Sequence, residues 1–291
     1  MPRSKPFLGI ALSGGTLKAA AHAGVLAALE RIGVQPDAIA GTSAGSLVSA
    51  LYAHGYRTEA FHKLLLAFPG FKLIDYGFPV WSSLWTLAKA QIGFKSPLPT
   101  VPAGLIQGKK FTMYIQRLLS GRRLQIPLYV VATDLLSGHP VVFSALQQRA
   151  DTFATTSDLA RAIAGSCALP GVFSPVPLDG YLLVDGAMRH YVPVSVLERI
   201  GCDKIIAVNL YRLPSRYEPR TFVDVLARSF DILLRESIDN DMAPSSRLFV
   251  VEPDMSRVRW RTFRQMSECV KLGEQAVYEQ ADQIRAFLQN G

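Results

Sequence analysis

The sequence predicts an α/β fold, a mostly parallel sheet with helices on both faces. Short apolar runs of strand length alternate with longer stretches whose apolar residues recur at helical spacing. The strand-like runs are apolar along their length, as strands covered on both faces are. Glycine-containing turns follow the first two of them.

Residues 7–12 form the first run and end in Ser13-Gly14-Gly15, which fits a buried strand entering a tight turn. Residues 18–32 have helical spacing, with Val25, Leu26, Leu29 and Ile32 on one face. Residues 37–42 read as a second strand. A helix over 44–54, with Leu47, Ala50 and Leu51 inside, and a third helix over 58–68 follow. Further strands are expected at 128–133, 181–184, 204–209 and 248–251. Further helices are expected at 157–164, 194–200, 222–235 and 263–287. Asp179-Gly180, just ahead of the strand at 181, suits a hairpin turn. No linker composition interrupts the series, so residues 1–291 are expected to form a single domain.

Residues 69–107 break the pattern. They carry Phe71, Tyr76, Phe78, Trp81, Trp85 and Phe94 among prolines, with Lys72, Lys89 and Lys95 interspersed. Long loops of this kind in compact domains are usually functional or mobile. Aromatic and basic residues together suit a lipid interface, and a loop packed on its own protein is the other reading.

The chain has 291 residues, 49% of them hydrophobic and 19% charged, enough apolar material for a sizeable core. A net charge of +8 suits anionic partners such as phospholipid headgroups. The basic residues are scattered, with neither zinc-finger spacing nor a basic helix followed by heptads, so nucleic acid is not an expected partner. Cys167, Cys202 and Cys269 lie far apart and are odd in number. That argues against a disulfide framework and for small buried side chains in a reducing, cytoplasmic compartment. The basic start and the apolar run after it, broken by Ser13-Gly14-Gly15 and Lys18, read as strand and turn rather than a signal peptide. No window holds the ~18 uninterrupted apolar residues of a membrane span, so any membrane contact is expected to be peripheral.

The run "GTSAG", residues 41–45, is a Gly-x-Ser-x-Gly pattern between a strand and a helix. A serine on so sharp a turn projects its hydroxyl from the sheet edge. Gly41 and Gly45 leave room where the flanking elements crowd, and the helix N-terminus favours negative charge there. Ser43 is therefore a candidate nucleophile; the alternative is a plain turn with Ser43 as a helix cap. The second glycine turn, Ser13 to Lys18, lies at the carboxyl end of a neighbouring strand, where such loops converge. Its backbone N–H groups could receive an oxyanion, with Lys18 adding positive charge. Neither the dinucleotide nor the P-loop glycine pattern is present.

A base for Ser43 is not evident among the histidines. His22, His54, His62, His139 and His190 all precede the late position expected in the common Ser…Asp…His order. Asp185 is better placed, ending a strand and followed at once by Gly186-Ala187. A dyad would let Asp185 take the serine proton directly, helped if burial raises its pKa. The other reading of Asp185 is a turn-capping carboxylate.

"LSGGTLKAAAHAGVLAALE", "AGTSAGSLVSALYA", "VVATDLLSGHPVVFS" and "AIAGSCALPGVFSPVPLDGYLLVDGAMRHYVPV" together resemble the patatin-like phospholipase family, over nearly the whole chain from Ile10 to about Leu288. The resemblance implies a three-layer α/β/α fold, hydrolysis of lipid acyl esters and no metal or organic cofactor. It implies Ser43 as nucleophile, Asp185 as its activator, and the N–H groups of Gly14, Gly15 and Thr16 as oxyanion donors, with Lys18 at the family's basic position. Gly41, Gly45 and Gly186 support these turns. The chain departs from the family pattern at Thr16 and Ala19, where glycines are usual, and at His190-Tyr191, where asparagine-proline is frequent. His190 is expected to face solvent. The rival functions are an acyltransferase or neutral-lipid esterase using the same dyad, and a lipid-binding protein without catalysis.

Overall fold

The structure, a computed structural model, describes residues 5–76, 104–144, 153–213, 217–256, 258 and 265–289. The chain opens with β1 (Leu8–Leu12), α1 (Ala20–Arg31), β2 (Ala38–Thr42), α2 (Ala44–Ala53) and α3 (Thr58–Leu66). After the insertion come β3 (Gly104–Ile106), α4 (Lys109–Leu119), β4 (Leu128–Asp134), β5 (Pro140–Ser144), β6 (Ala154–Thr155) and α5 (Leu159–Ser166). Then follow β7 (Gly171–Phe173), β8 (Val176–Leu178), β9 (Tyr181–Asp185), α6 (Val194–Arg199) and β10 (Lys204–Val208). The chain closes with α7 (Phe222–Asp241), β11 (Leu248–Val251), α8 (Met266–Glu279) and α9 (Ala281–Gln289).

The main sheet runs β11-β10-β1-β2-β4-β5-β6, and its first five strands are mutually parallel. Side-chain alternation divides the core in two. Ile10, Leu12, Ile39, Leu128, Val130, Ile206 and Val208 face the layer that contains α1, α2, α5 and α8. Ala11, Ala38, Ala40, Tyr129, Val131, Ile205 and Ala207 face α6 and the buried Ile238 of α7. This is the three-layer arrangement, with the parallel sheet in the middle.

Close helix packing places the first layer. A Cβ on Gly24 of α1 would stand 2.0 Å from the Val270 carbonyl oxygen, and one on Gly273 of α8 would stand 2.1 Å from that of Ala21. The two helices therefore touch backbone to backbone, which only glycine permits. The single helix expected at 263–287 is two helices, broken at Gln280. The break lets α9 turn so that Ile284 is buried and Phe287 meets Phe249 of β11, ring centroids 5.5 Å apart. The helix expected at 222–235 continues to Asp241, started by a capping box between Thr221 and Asp224. Its outward side carries exposed Phe222, Leu226, Phe230 and Leu233.

At its edges the sheet departs from parallel order. β5 pairs antiparallel with β4, and the β8–β9 hairpin turns at Asp179 and Gly180, both at positive φ, as the turn dipeptide predicts. β9 also pairs antiparallel with β4, Ala132 opposite Asp185 and Asp134 opposite Leu183. The first half of β4 pairs with β2, ending at Thr42 opposite Val131. β2 and β9 thus approach end to end along one side of β4, and their last residues meet. Among the described residues, no helix is long and apolar enough to cross a membrane.

Of the insertion, residues 77–103, including Phe78, Trp81, Trp85, Lys89, Phe94 and Lys95, lie outside the described residues. Its flanks are tied together. The Asp75 carboxylate accepts the N–H groups of Gly108, Lys109 and Lys110 at the start of α4. Tyr76 bridges to Ile106.

Candidate active site

Ser43 follows β2 directly and precedes α2. Its φ of 53° and ψ of −130° lie outside the conformations that most side-chain-bearing residues adopt. Three contacts hold it there. Its N–H donates to Ser166 Oγ at 2.8 Å, and its carbonyl accepts the Ser46 N–H at 2.8 Å and the Ser46 hydroxyl at 2.6 Å. The glycines on either side have steric work. A Cβ on Gly41 would come within 2.5 Å of the Gly45 carbonyl oxygen, and one on Gly45 within 2.3 Å of the Ser13 carbonyl oxygen. Gly45 thereby lets the start of α2 lie against the end of β1.

Asp185 ends β9, opposite Ala132, one step along β4 from the residue that faces Thr42. The end-to-end meeting of β2 and β9 brings the two sequence-predicted residues together: Ser43 Oγ donates to Asp185 Oδ2 at 2.7 Å. The other carboxylate oxygen accepts the Ala187 N–H at 2.9 Å. Gly186 allows the chain to turn beneath the pair, since a Cβ there would stand 2.2 Å from the Val131 carbonyl oxygen. Asp185 is 3% exposed. Burial raises its pKa to about 6, against the lowering effect of the Ala187 N–H and the Ser43 hydroxyl. At neutral pH it is a carboxylate of unusual basicity, already bonded to the proton it would remove.

The glycine turn starts against the N-terminus of α2, with the Ser13 carbonyl oxygen 2.3 Å from where a Cβ on Gly45 would stand. The Gly14 N–H, expected as an oxyanion donor, donates to the Tyr191 carbonyl at 3.2 Å and so serves to anchor the turn. The N–H groups of Gly15 and Thr16 meet no acceptor among the described residues. Thr16, standing where the family pattern has glycine, keeps a φ of 50°, and its hydroxyl donates to the Gly15 carbonyl at 2.7 Å. Lys18 is half-buried against Cys269 of α8; burial lowers its ammonium pKa, and the Cys269 thiol opposes that. No hydrogen bond or ion pair joins Lys18 to Ser43 or Asp185 among the described residues.

Three residues missed by sequence reasoning complete the surroundings. Ser166, at the end of α5, binds the nucleophile's backbone. Tyr191 lies edge-on to Gly14, 2.8 Å from where a Cβ would stand; burial first, and then the Asp185 charge, hold its phenol well above the ordinary range. Ser13 is fully buried, its hydroxyl accepting the Leu210 N–H and its carbonyl lying 2.9 Å from His22 Nε2. His22 has no exposure, and burial lowers its pKa to about 4, so it is a neutral strut for the turn. His190 was expected in solvent. It is instead partly covered, its Nδ1 2.8 Å from Asp241 Oδ1, because α7 packs across the loop that follows Asp185. Each of the three missed residues lies in a segment that the sequence singled out, Ser13 in the glycine turn and Ser166 and Tyr191 in the stretch around Asp185, but nothing local marked the residue itself.

A family model described as patatin-like phospholipase matches residues 10–197. An NTE family protein of Mycobacterium tuberculosis is 30% identical over 213 residues, covering 71% of this chain and 50% of that protein. Lysophospholipase NTE1 of Mycosarcoma maydis is 27% identical over 231 residues, 78% of this chain and 11% of that one. The chain thus spans about half the length of its mycobacterial relative. Among solved structures, VipD from Legionella pneumophila superposes with a TM-score of 0.51 at 15% identity, covering 96% of this chain and 67% of that one. That likeness is one of fold.

Proposed function

The chain belongs to the patatin-like phospholipase family, and from that premise we propose that it hydrolyses lipid acyl esters, in the manner of a phospholipase A or lysophospholipase, through a Ser43–Asp185 dyad. The observation that carries the reading is the 2.7 Å bond from the Ser43 hydroxyl to a buried carboxylate whose pKa is about 6. A carboxylate near its ordinary pKa is a poor base for a hydroxyl; one raised by burial narrows that gap while staying ionised at neutral pH.

Ser43 Oγ attacks the ester carbonyl carbon as its proton passes to Asp185 Oδ2. The carbonyl oxygen becomes an oxyanion, received by the N–H groups of Gly15 and Thr16 and favoured by the N-terminus of α2. Collapse breaks the bond to the alcohol, which leaves with the proton from Asp185, and the acyl group remains on Ser43. Water then attacks the acyl-enzyme, giving its proton to Asp185. The second collapse releases the fatty acid and returns that proton to Ser43 Oγ. The Ala187 N–H holds Oδ1 throughout, so Oδ2 stays aimed at the serine.

Intact-mass analysis after treatment with a fluorophosphonate tests this reading. Wild type is expected to take one adduct and Ser43→Ala none. A folded wild type that takes no adduct, with detergent or vesicles as without them, would count for the non-catalytic reading. With an added alcohol acceptor, free fatty acid is expected to remain the main product; a transferred ester in its place would indicate a transferase.

A further inference from the structure

Where β2 and β9 both end, the side of β4 passes from one partner strand to the other. The ladder is interrupted at that joint, yet the joint is where the dyad must be aligned. Ser166 fills it. It has no exposure, its hydroxyl donates to the Val131 carbonyl at 2.5 Å, and its oxygen accepts the Ser43 N–H at 2.8 Å. Two residues on, the Ala168 carbonyl accepts the Asp185 N–H at 2.9 Å. Between them, the Cys167 side chain lies beside Ser46, which itself clamps the Ser43 carbonyl, and close enough to feel the Asp185 charge. The end of α5 reaches this depth because Gly165 lies flush on β9: a Cβ there would meet Leu183 Cβ at 2.7 Å.

We propose that residues 166–168 form a clip that sets the spacing of the dyad, with Ser166 as a positioning residue for the nucleophile. The clip grips one backbone N–H of each partner, Ser43 and Asp185, from a single short segment whose far side is fixed to β4. It holds Ser43 in its positive-φ conformation by giving the N–H the acceptor that the ended strand no longer supplies. Without the Ser166 oxygen, a buried N–H loses its partner and the residue is free to relax towards ordinary backbone angles. The hydroxyl then moves off Asp185 Oδ2. Displacements of this kind lower the chemical step about tenfold to hundredfold and leave binding of the ester largely untouched.

The inference rests on the dyad reading, and the test separates the two. The full chain and Ser166→Ala are compared for hydrolysis of p-nitrophenyl butyrate against pH, for fluorophosphonate labelling rate and for thermal unfolding. Ser166→Ala is expected to lose about tenfold to hundredfold in kcat and in labelling rate, with KM within about twofold. The acid limb of its rate profile is expected to move above the wild-type position near pH 6, because the Ser43 hydroxyl no longer lowers the Asp185 pKa. A merely structural serine would alter unfolding and leave that limb in place. A folded Ser166→Ala with wild-type kcat and acid limb would overturn the clip. Should that variant fail to fold, Ser166→Cys decides: its weaker, longer bonds are expected to give a reduced kcat and a raised limb, and wild-type values would overturn the proposal. A wild type that neither labels nor hydrolyses the ester would instead remove the dyad reading itself.

Discussion

Replacing Asp185 by asparagine is expected to make the protein more stable as it abolishes turnover. Burial lifts the carboxyl from its ordinary 3.8 to about 6. A carboxyl whose folded pKa lies above its unfolded one supports the fold when protonated. That support is complete below about 3.8 and is lost as pH rises through about 6. At pH 7.5 the native protein therefore holds a buried charge that the unfolded chain would hold in water. At about 1.4 kcal/mol for each tenfold in proton affinity, the interval from 3.8 to about 6 amounts to roughly 3 kcal/mol. Asparagine fits the same place, since its Oδ1 can still accept the Ala187 N–H. Urea titration at pH 7.5 is expected to show Asp185→Asn more stable than wild type by roughly 2–3 kcal/mol, the gain shrinking towards zero near pH 4. The variant should take no fluorophosphonate. Equal stability at pH 7.5, or a gain that persists undiminished in acid, would refute the view that the base is made by desolvation.

His22 supplies the opposite slope. Its folded pKa of about 4 lies below the ordinary 6.5, so the unfolded chain binds the proton first, and stability present above pH 6.5 falls by roughly 3 kcal/mol as pH drops to 4. In wild type the two slopes nearly cancel over this window. Asp185→Asn should therefore become acid-labile between pH 6.5 and 4, and His22→Gln should gain stability over the same range; parallel curves for all three proteins would contradict both assignments. At Thr16, a β-branched residue at a φ of 50° costs about 1–2 kcal/mol, and the greater freedom of an unfolded glycine returns about half of that. Thr16→Gly is expected to stabilise the protein by about 0.5–1 kcal/mol in urea titration, and a loss of stability would mean that the Thr16 hydroxyl bond to Gly15 outweighs the strain.

What could be read from the chain was what depends on local pattern. β1, β2, β4 and β10 announced themselves because strands buried on both faces are apolar throughout, the half-buried β11 because all four of its residues are apolar, and α1 and α2 because their apolar residues recur at helical spacing. Ser43 stood out since its glycines answer a steric demand within five residues. Asp185 could be placed at a strand end, but its partnership with Ser43 depended on β9 lying antiparallel beside β4, which nothing between residues 43 and 185 declares. Ser166 was illegible for the same reason: a buried serine at a helix end looks like any other until its neighbours are known. The short strands β3, β6, β7 and β8 are held by pairing rather than by propensity. The break at Gln280 and the cover over His190 come from packing on β11 and α7, and neither leaves a mark in periodicity. The loss of the Gly14 N–H to the Tyr191 carbonyl likewise needed the fold.

The end-to-end meeting of β2 and β9 makes catalytic competence a matter of register. Side chains alternate between the faces of a sheet, so a slip of β9 by one residue along β4 would send the Asp185 carboxylate to the opposite layer. Core composition and helix content would hardly change. Stability can drift by degrees as substitutions accumulate in this molecule, but the dyad is either in step or absent, and β4 is the ruler against which both halves are counted.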